Sequence, residues 1–590
     1  MYKRILTYVV LTLFALLIGS CSDVLSPSNQ NINDLEDMYT NASYAEGVLA
    51  NAYNLLPNNG WTFTDVATDH AVTNDNNNAF RQMATGQWTA DNNPLNLWQN
   101  GRAAIQYLNI FLENADNVQW ADDETTRELF NQRLKGEAYG LRAFFMYHLL
   151  RNHAGWTGSG QAGQLLGIPV VLEPEDKDSD FQLPRDTFEA VMEQIYSDIE
   201  MATDMLPLNY GNVEDPSQLP DGFGISNDDL GRFNRVFGND GKQRMSGRIA
   251  LAVKAQAALM AASPAYTDGT TTTWEDAANY SGELIQLNGG VSGIAADGDN
   301  WYNDTGMSSI GSGENPPEII WRTNIAQSSD LEAQHFPPTL FGNGRMNPTQ
   351  SLVDAFPMAN GYPIDHPNSN YDESNPYENR VEMLQEYILV NGGTAGVSNT
   401  PIITAADGNT NDALNQVSTS TRTGYYMKKL LRQDVNLDPN SSNQQLHYVP
   451  RIRFTEIYLA YAEAANETWG PAGTGSFGFS AYDVIEAIRM RQGVSQPDEY
   501  MQNEIVSTED MRQLIRDVRR IELSFENFRF WDLRRWGMEL TEPADGVRII
   551  NGEFNRINSV EARDYQPYMR YGPVPFDEVL KFGLEQNFGW

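Results

Sequence analysis

Helical periodicity arrives in pairs along this chain, and one long stretch with almost none separates the second pair from the third. Pro94 opens "NNPLNLWQNGRAAIQYLNIFLENAD", whose partner is "ETTRELFNQRLKGEAYGLRAFFMYHLLRNHAG". In the partner Leu134, Ala138, Leu141, Phe145 and Leu149 recur at steps of three and four, which places them on one helical face. Gly136, Gly140 and Ala143 offer a small-residue face where another helix can approach closely. The second pair is "LPRDTFEAVMEQIYSDIEMATDMLP" with "SGRIALAVKAQAALMAASPAY". The third is "RIRFTEIYLAYAEAANETWG" with "SAYDVIEAIRMRQG", followed by a segment expected to be helical over roughly 507–536. Repeated helix–turn–helix units cannot bury their apolar faces alone, so they stack, as tetratricopeptide repeats do.

Residues 288–445 are rich in Gly, Asn, Pro, Ser and Thr, with short strand-like runs such as "EIIWRT" and "GYYMKKLL". Such an insertion in a compact chain usually carries function. The expectation is a mostly α fold over 35–590. Tetratricopeptide-like helix pairs form a scaffold over about 35–287 and 446–590, and a loop-rich mixed lobe over about 288–445 packs on it.

Residues 1–20 are a targeting segment, with Lys3 and Arg4 ahead of an apolar run from Ile5 to Ile18. Ile18-Gly19-Ser20-Cys21 is similar to a bacterial lipobox, in which the cysteine is acylated after cleavage. Cys21 is the sole cysteine in 590 residues, so a disulfide framework is ruled out. Residues 21–34 then read as a lipidated tether, and several acyl chains suffice as an anchor where one does not. No later run reaches the roughly 20 apolar residues of a membrane span. Formal charge is −38, from 40 Lys+Arg against 78 Asp+Glu, and −40 once Lys3 and Arg4 are removed. Nucleic acid and anionic lipid are therefore poor partners.

"RRIELSFENFRFWDLRRWG" (519–537) holds the one obvious carboxylate pair, Glu522 and Glu526, at i,i+4. A glycosidase keeps one such group protonated, whereas cations three residues away, Arg519 and Arg529, favour the ionised form. Ile521, Phe525, Phe528 and Trp531 fall at helical steps, so the segment reads as an ion-paired structural helix whose arginines pair with Glu522, Glu526 and Asp532. The six histidines show no metal-ligand spacing, and His148 and His153, near a helix end, are read as structural. No cofactor is expected, although "DGNTNDALNQ" (407–416) and "TDHAVTNDNNN" (68–78) leave a loop calcium ion open.

Taken together, "GEAYGLRAFFMYHLL", "GIPVVLEP", "NGYPI", "NPYENRVE", "IRFTEIYLAYAEAANE", "RRIELSFENFRFWDLRRWG" and the closing "PVPFDEVLKFGLEQNFGW" resemble the SusD/RagB family of outer-membrane nutrient-binding lipoproteins, in order and spacing. The chain departs from the family pattern at Val518, where an acid is usual, at Phe588 in the terminal motif, and in the lengthened loop "WTGSGQAGQLL". The resemblance implies four tetratricopeptide-like helix pairs and a SusC-like TonB-dependent transporter as partner. It also implies a non-enzymatic role in binding an oligosaccharide or, in some members, a peptide, at the cell surface. A surface glycoside hydrolase is the alternative from another class. A neutral glycan is preferred, because the acidic surface repels polyanions.

Sugars are held by aromatic rings and by carboxylates, amides and arginines. The segment 61–93 supplies this mixture: Asp69, Asn74 and Asp75 for hydroxyls and Trp88 for stacking. The resemblance places this loop region beside the ligand. Arg380, in "NPYENR", and Tyr425, in "TRTGYYMKK", join it from the lobe, with Trp61 and Trp301 as secondary stacking candidates.

Overall fold

Helices start where a short polar side chain can accept from the first-turn amides. The computed structural model describes residues 35–590 apart from 58–62, 221–222, 224, 309 and 312. Cys21, its tether and Trp61 therefore lie outside the described residues. Ten helices carry the architecture: α1 Ala42–Asn54, α2 Trp98–Asn114, α3 Glu124–His153, α4 Phe188–Met205, α5 Gly247–Ala262, α6 Trp274–Leu287, α7 Phe454–Trp469, α8 Ala481–Arg491, α9 Thr508–Glu522 and α10 Arg529–Trp536. Thr187, Ser246, Thr273, Ser480 and Ser507 each accept from the amide three residues on, capping α4, α5, α6, α8 and α9. At Thr273, Ser480 and Ser507 an aspartate returns the bond, completing a capping box.

From α1 to α8 each helix packs on the next in chain order, and α9 lies against α7 and α8. The expected scaffold of stacked pairs is present, with two helices the periodicity did not pick out. They are α1 and α6. The buried face of α6 includes Ala277, Ala278, Ser281, Gly282, Leu284 and Ile285. Their presence regroups the pairs: α4 packs chiefly on α3, and α5 chiefly on α6. The small-residue face of α3 is where α4 comes close. A Cβ on Gly136 would sit 2.8 Å from Leu206 Cγ, and one on Gly140 would sit 2.6 Å from Met245 Cγ. Alanines surround α5 on most sides and are buried, as suits a helix enclosed by its neighbours.

Six strands matter here: β1 Ala71–Thr73, β2 Ile319–Arg322, β3 Met346–Pro348, β4 Pro450–Arg453, β5 Ala544–Ile550 and β6 Glu553–Glu561. The strand expected in "EIIWRT" is β2; it pairs antiparallel with β4, and Ile320, Trp321 and Ile452 join the scaffold core. A second core belongs to the lobe and draws on remote stretches of chain: Phe63, Val66 and Ala71; residues within 331–431; Val494; and Ile521, Phe525, Val547 and Ile549. Strand β1 pairs with β3, with Val72 opposite Asn347. The β5–β6 hairpin lies within the stretch assigned to the helical scaffold. Its turn is Asn551-Gly552, both with positive φ (53° and 81°), the form that two-residue hairpins favour.

The segment 507–536 is not one helix. It breaks between α9 and α10, where Phe525 (φ 61°) and Asn527 (φ 68°) take left-handed conformations. The buried carboxylate of Asp65 fixes the break, accepting from the amides of Phe525 (2.9 Å) and Asn527 (3.3 Å). Asn527 Oδ1 in turn accepts from the Thr64 amide at 2.7 Å. The apolar stripe consequently divides: Ile521 and Phe525 enter the lobe core, while Phe528 and Trp531 turn elsewhere. Ion pairing holds, with partners other than those expected for two of the three acids. Glu522 meets Arg491 (3.0 Å), and Glu526 meets Lys429 and Arg453 (2.6 Å each). Asp532 does pair with Arg519 (2.7 Å) and Arg535 (2.9 Å).

Candidate ligand-binding cleft

The structure places the six expected ligand residues in supporting roles. Both oxygens of Asp69 accept from Arg529 (2.9 and 2.7 Å), and Oδ2 also from Arg520 (2.8 Å). Burial alone would raise its pKa, but the two guanidiniums outweigh burial and hold it well below the usual carboxylate range. Asn74 ties the ends of β1 and β3 together, donating to the carbonyls of Asn343 (2.9 Å) and Gly344 (3.0 Å) and accepting from Arg345. Asp75 accepts from the Asn77 amide in a surface turn. Trp88 is buried against Phe530, Tyr565 and Trp590, its Nε1 donating to Asn93. Arg380 donates to the carbonyls of Pro376, Val353 and Phe356. Tyr425 is fully buried and donates to Gln350 at 2.6 Å. None of the six lines the cleft described next. In the two acidic loops, Asp407 accepts from the Asn551 amide and Asp412 from the Thr339 amide. Among the described residues no three His, Cys, Asp or Glu side chains converge.

Between scaffold and lobe runs a cleft of about 590 Å³, a size that suits a small-molecule ligand. Exposed Asn54, Ala79 and Asn100 stand at its rim. Its walls are aromatic: Phe144 from α3, Trp301 and Tyr302 from the loop-rich stretch, Tyr448 from just before β4, and Phe528 and Trp531 from the break before α10 and from α10. Trp301 is thus the one described stacking candidate from the sequence that reaches the cleft. Its Nε1 donates to Gly298 and its carbonyl accepts from Tyr448.

The polar groups of the cleft come from residues that the sequence reading left as scaffold. His148, Arg151 and Asn152 share one face of α3 at i, i+3 and i+4, a spacing that could have marked them. The Arg151 guanidinium lies 4.4 Å from the Trp531 ring and 3.0 Å from His148 Nδ1. Burial, with Arg151 and Arg451 nearby, pushes His148 well below its ordinary pKa, so its ring is neutral and Nδ1 accepts from Arg151. His153, by contrast, is structural: it is fully buried, 2.7 Å from the Pro573 carbonyl, and burial pushes its pKa down to about 4. Gln256 of α5 donates to Glu456 of α7 at 2.6 Å. Glu526 also lines the cleft, but Lys429 and Arg453 occupy its oxygens. The arrangement therefore offers hydrogen bonds and apolar walls, the chemistry of binding.

Burial pushes Glu456 up from 4.5 to about 7, against the opposing pull of Gln256 and of the Arg519, Arg453 and Arg151 charges. Native Glu456 thus keeps its proton to a higher pH than the unfolded chain does, and ionising it costs stability. That cost is absent below about pH 4 and complete above about pH 7. Glu456→Gln removes the cost and should raise stability over wild type by up to about 3 kcal/mol at pH 8, with little difference at pH 4. Urea unfolding of both proteins across that range measures it; a pH-independent difference would contradict the assignment.

A stack of helix pairs bearing an aromatic-walled cleft is the build of a ligand-binding protein, and comparison with known proteins agrees. The SusD family matches residues 317–590, and a SusD-like family described as starch-binding and associating with the outer membrane matches residues 23–220. The chain belongs to the SusD/RagB family. SusD-like protein P25 of Formosa agariphila is 29% identical over 154 residues, a match spanning 26% of each chain. A SusD-like protein of Bacteroides fragilis has the same fold, with a TM-score of 0.71 at 21% identity, covering 96% of this chain and 100% of that one. A SusD-like carbohydrate-binding protein of the same organism gives 0.64 at 20% identity, covering 92% and 98%. Surface glycan-binding protein A of Bacteroides fluxus gives 0.58 at 17%, covering 93% and 100%.

Proposed function

We propose that this protein is a surface glycan-binding lipoprotein, which captures oligosaccharides without cleaving them and passes them to a SusC-like TonB-dependent transporter. The observation that carries the reading is the cleft itself, where nine Phe, Tyr and Trp side chains meet amide, carboxyl and guanidinium groups. Apolar ring faces against aromatics, with hydroxyls on directed polar groups, is how a sugar is held. Family membership supports it, as does likeness to a starch-binding family, a carbohydrate-binding protein and a surface glycan-binding protein.

Cys21 is the proposed anchor. No described helix is long and apolar enough to cross a membrane. Cys21→Ala should move the protein from the outer-membrane fraction to the soluble fraction, and unchanged fractionation would remove the lipid from the account. A glycan array followed by titration calorimetry tests the function: at least one oligosaccharide class should bind and be recovered intact. Binding of peptides in place of glycans would overturn the reading, and so would release of shorter sugars with no enzyme added.

A further inference from the structure

Four polar atoms of the cleft lining have no partner among the described residues: Arg151 Nε, Asn152 Oδ1, Gln256 Oε1 and Glu456 Oε2. Asn152 and Glu456 are 3% and 5% exposed, and all four residues line the cleft. Buried polar groups are costly to leave without a hydrogen bond, and in folded proteins they nearly always have one. From these atoms we infer that the floor of the cleft is a subsite for one neutral, hydroxyl-bearing ring, so that this protein grips a glycan by a chain end. The inference rests on the glycan-binding reading and adds the charge and the end of the ligand.

Below about pH 7 the Glu456 carboxyl still holds its proton, so the set is mixed: Asn152 Oδ1 and Gln256 Oε1 accept, while Arg151 Nε and the Glu456 hydroxyl donate. A carboxylate or sulfate brings acceptors only, so it would leave the Asn152 and Gln256 oxygens without partners. An ammonium group would satisfy those oxygens but would stand among guanidiniums. Arg151 borders the floor itself. Arg519, Arg534 and Arg535 border a recess behind it, together with Arg151, Gln256, Glu456 and Asp532, so four guanidiniums there stand against one ionised carboxylate. Like charges in a site shielded from water repel strongly. A hydroxyl both donates and accepts, and a ring carrying several of them matches a mixed set without adding charge. Phe144 and Phe528 supply apolar wall on either side.

The chain-end preference follows from the enclosure. The polar atoms sit on α3, α5 and α7, and both α3 and α7 pack on α5. Behind them the recess measures about 50 Å³, room for about one water or one small exocyclic group. A sugar chain entering from the rim at Asn54 and Asn100 therefore ends here.

The test uses the full chain and small probes: glucose, galactose, mannose and xylose, with glucuronate and glucosamine as charged counterparts, each followed by saturation-transfer NMR. At least one neutral sugar should bind and outcompete both charged probes by tenfold or more. Gln256→Ala and Asn152→Ala should each weaken it at least tenfold. Equal or tighter binding of glucuronate or glucosamine overturns the inference, as does unchanged affinity in both variants when their circular dichroism matches wild type. The charge comparison needs only the wild-type protein, so it decides even if a variant fails to fold. If oligosaccharides bind while no monosaccharide does at 100 mM, the subsite falls and the glycan reading stands. If no sugar of any length binds, both fall.

Discussion

Asp69→Ala should destabilise the fold by about 3–5 kcal/mol, the range for removing one partner from a buried ion pair. Its carboxylate lies between Arg520 and Arg529, and all three side chains are largely withdrawn from water. Without it two guanidiniums that cannot shed their protons would face each other across a desolvated gap. The gap also joins three parts of the molecule, since Asp69 precedes β1 while Arg520 and Arg529 belong to α9 and α10. The urea midpoint should fall sharply, with glycan affinity per folded molecule unchanged. An unchanged midpoint with lost affinity would instead return Asp69 to the ligand site.

Trp88→Ala should cost a comparable amount, about 3–5 kcal/mol, through the cavity it leaves. Only 2% of Trp88 is exposed. Its ring centre lies 4.8 Å from that of Trp590 and 5.8 Å from that of Phe530, with the Arg534 guanidinium 5.7 Å away. Truncation therefore loosens the join between the N-terminal loops, α10 and the C-terminal residues all at once. Thermal unfolding followed by near-ultraviolet circular dichroism should show the loss, because four aromatic rings sense the same packing. A variant as stable as wild type but blind to glycan would show Trp88 to be a stacking platform.

These two side chains show where reading the sequence succeeds and where it stops. Periodicity located most scaffold helices because a face of large apolar residues repeats whatever it packs on. It missed α6, whose buried face sets Leu284 and Ile285 among alanines, a serine and a glycine. The β5–β6 hairpin was legible in "IINGEF", where Asn-Gly sits between apolar runs, but the run of helices on either side drew attention away from it. In the polar segment around Asp69, burial against two arginines decides what the aspartate does. Residue type cannot say whether an aspartate meets a hydroxyl or an arginine 451 or 460 positions away. The cleft floor was hidden by the converse effect. Arg151 and Glu456 sit in helices whose neighbours are apolar, and only the assembled fold brings their free atoms to one place.

The Asp65 clasp has a consequence for the order of assembly. Its bonds to Phe525 and Asn527 close loops of 460 and 462 residues. Contacts between such remote positions form slowly, because chain entropy must be lost before they repay it. A chain that emerges from its N-terminus first can stack α1 to α6 from near neighbours. The lobe's second core, by contrast, waits for the last seventy-odd residues to arrive. The cleft lies between the two and is complete only when both ends of the polypeptide have met, so a prematurely terminated chain would hold the early helices without a complete cleft.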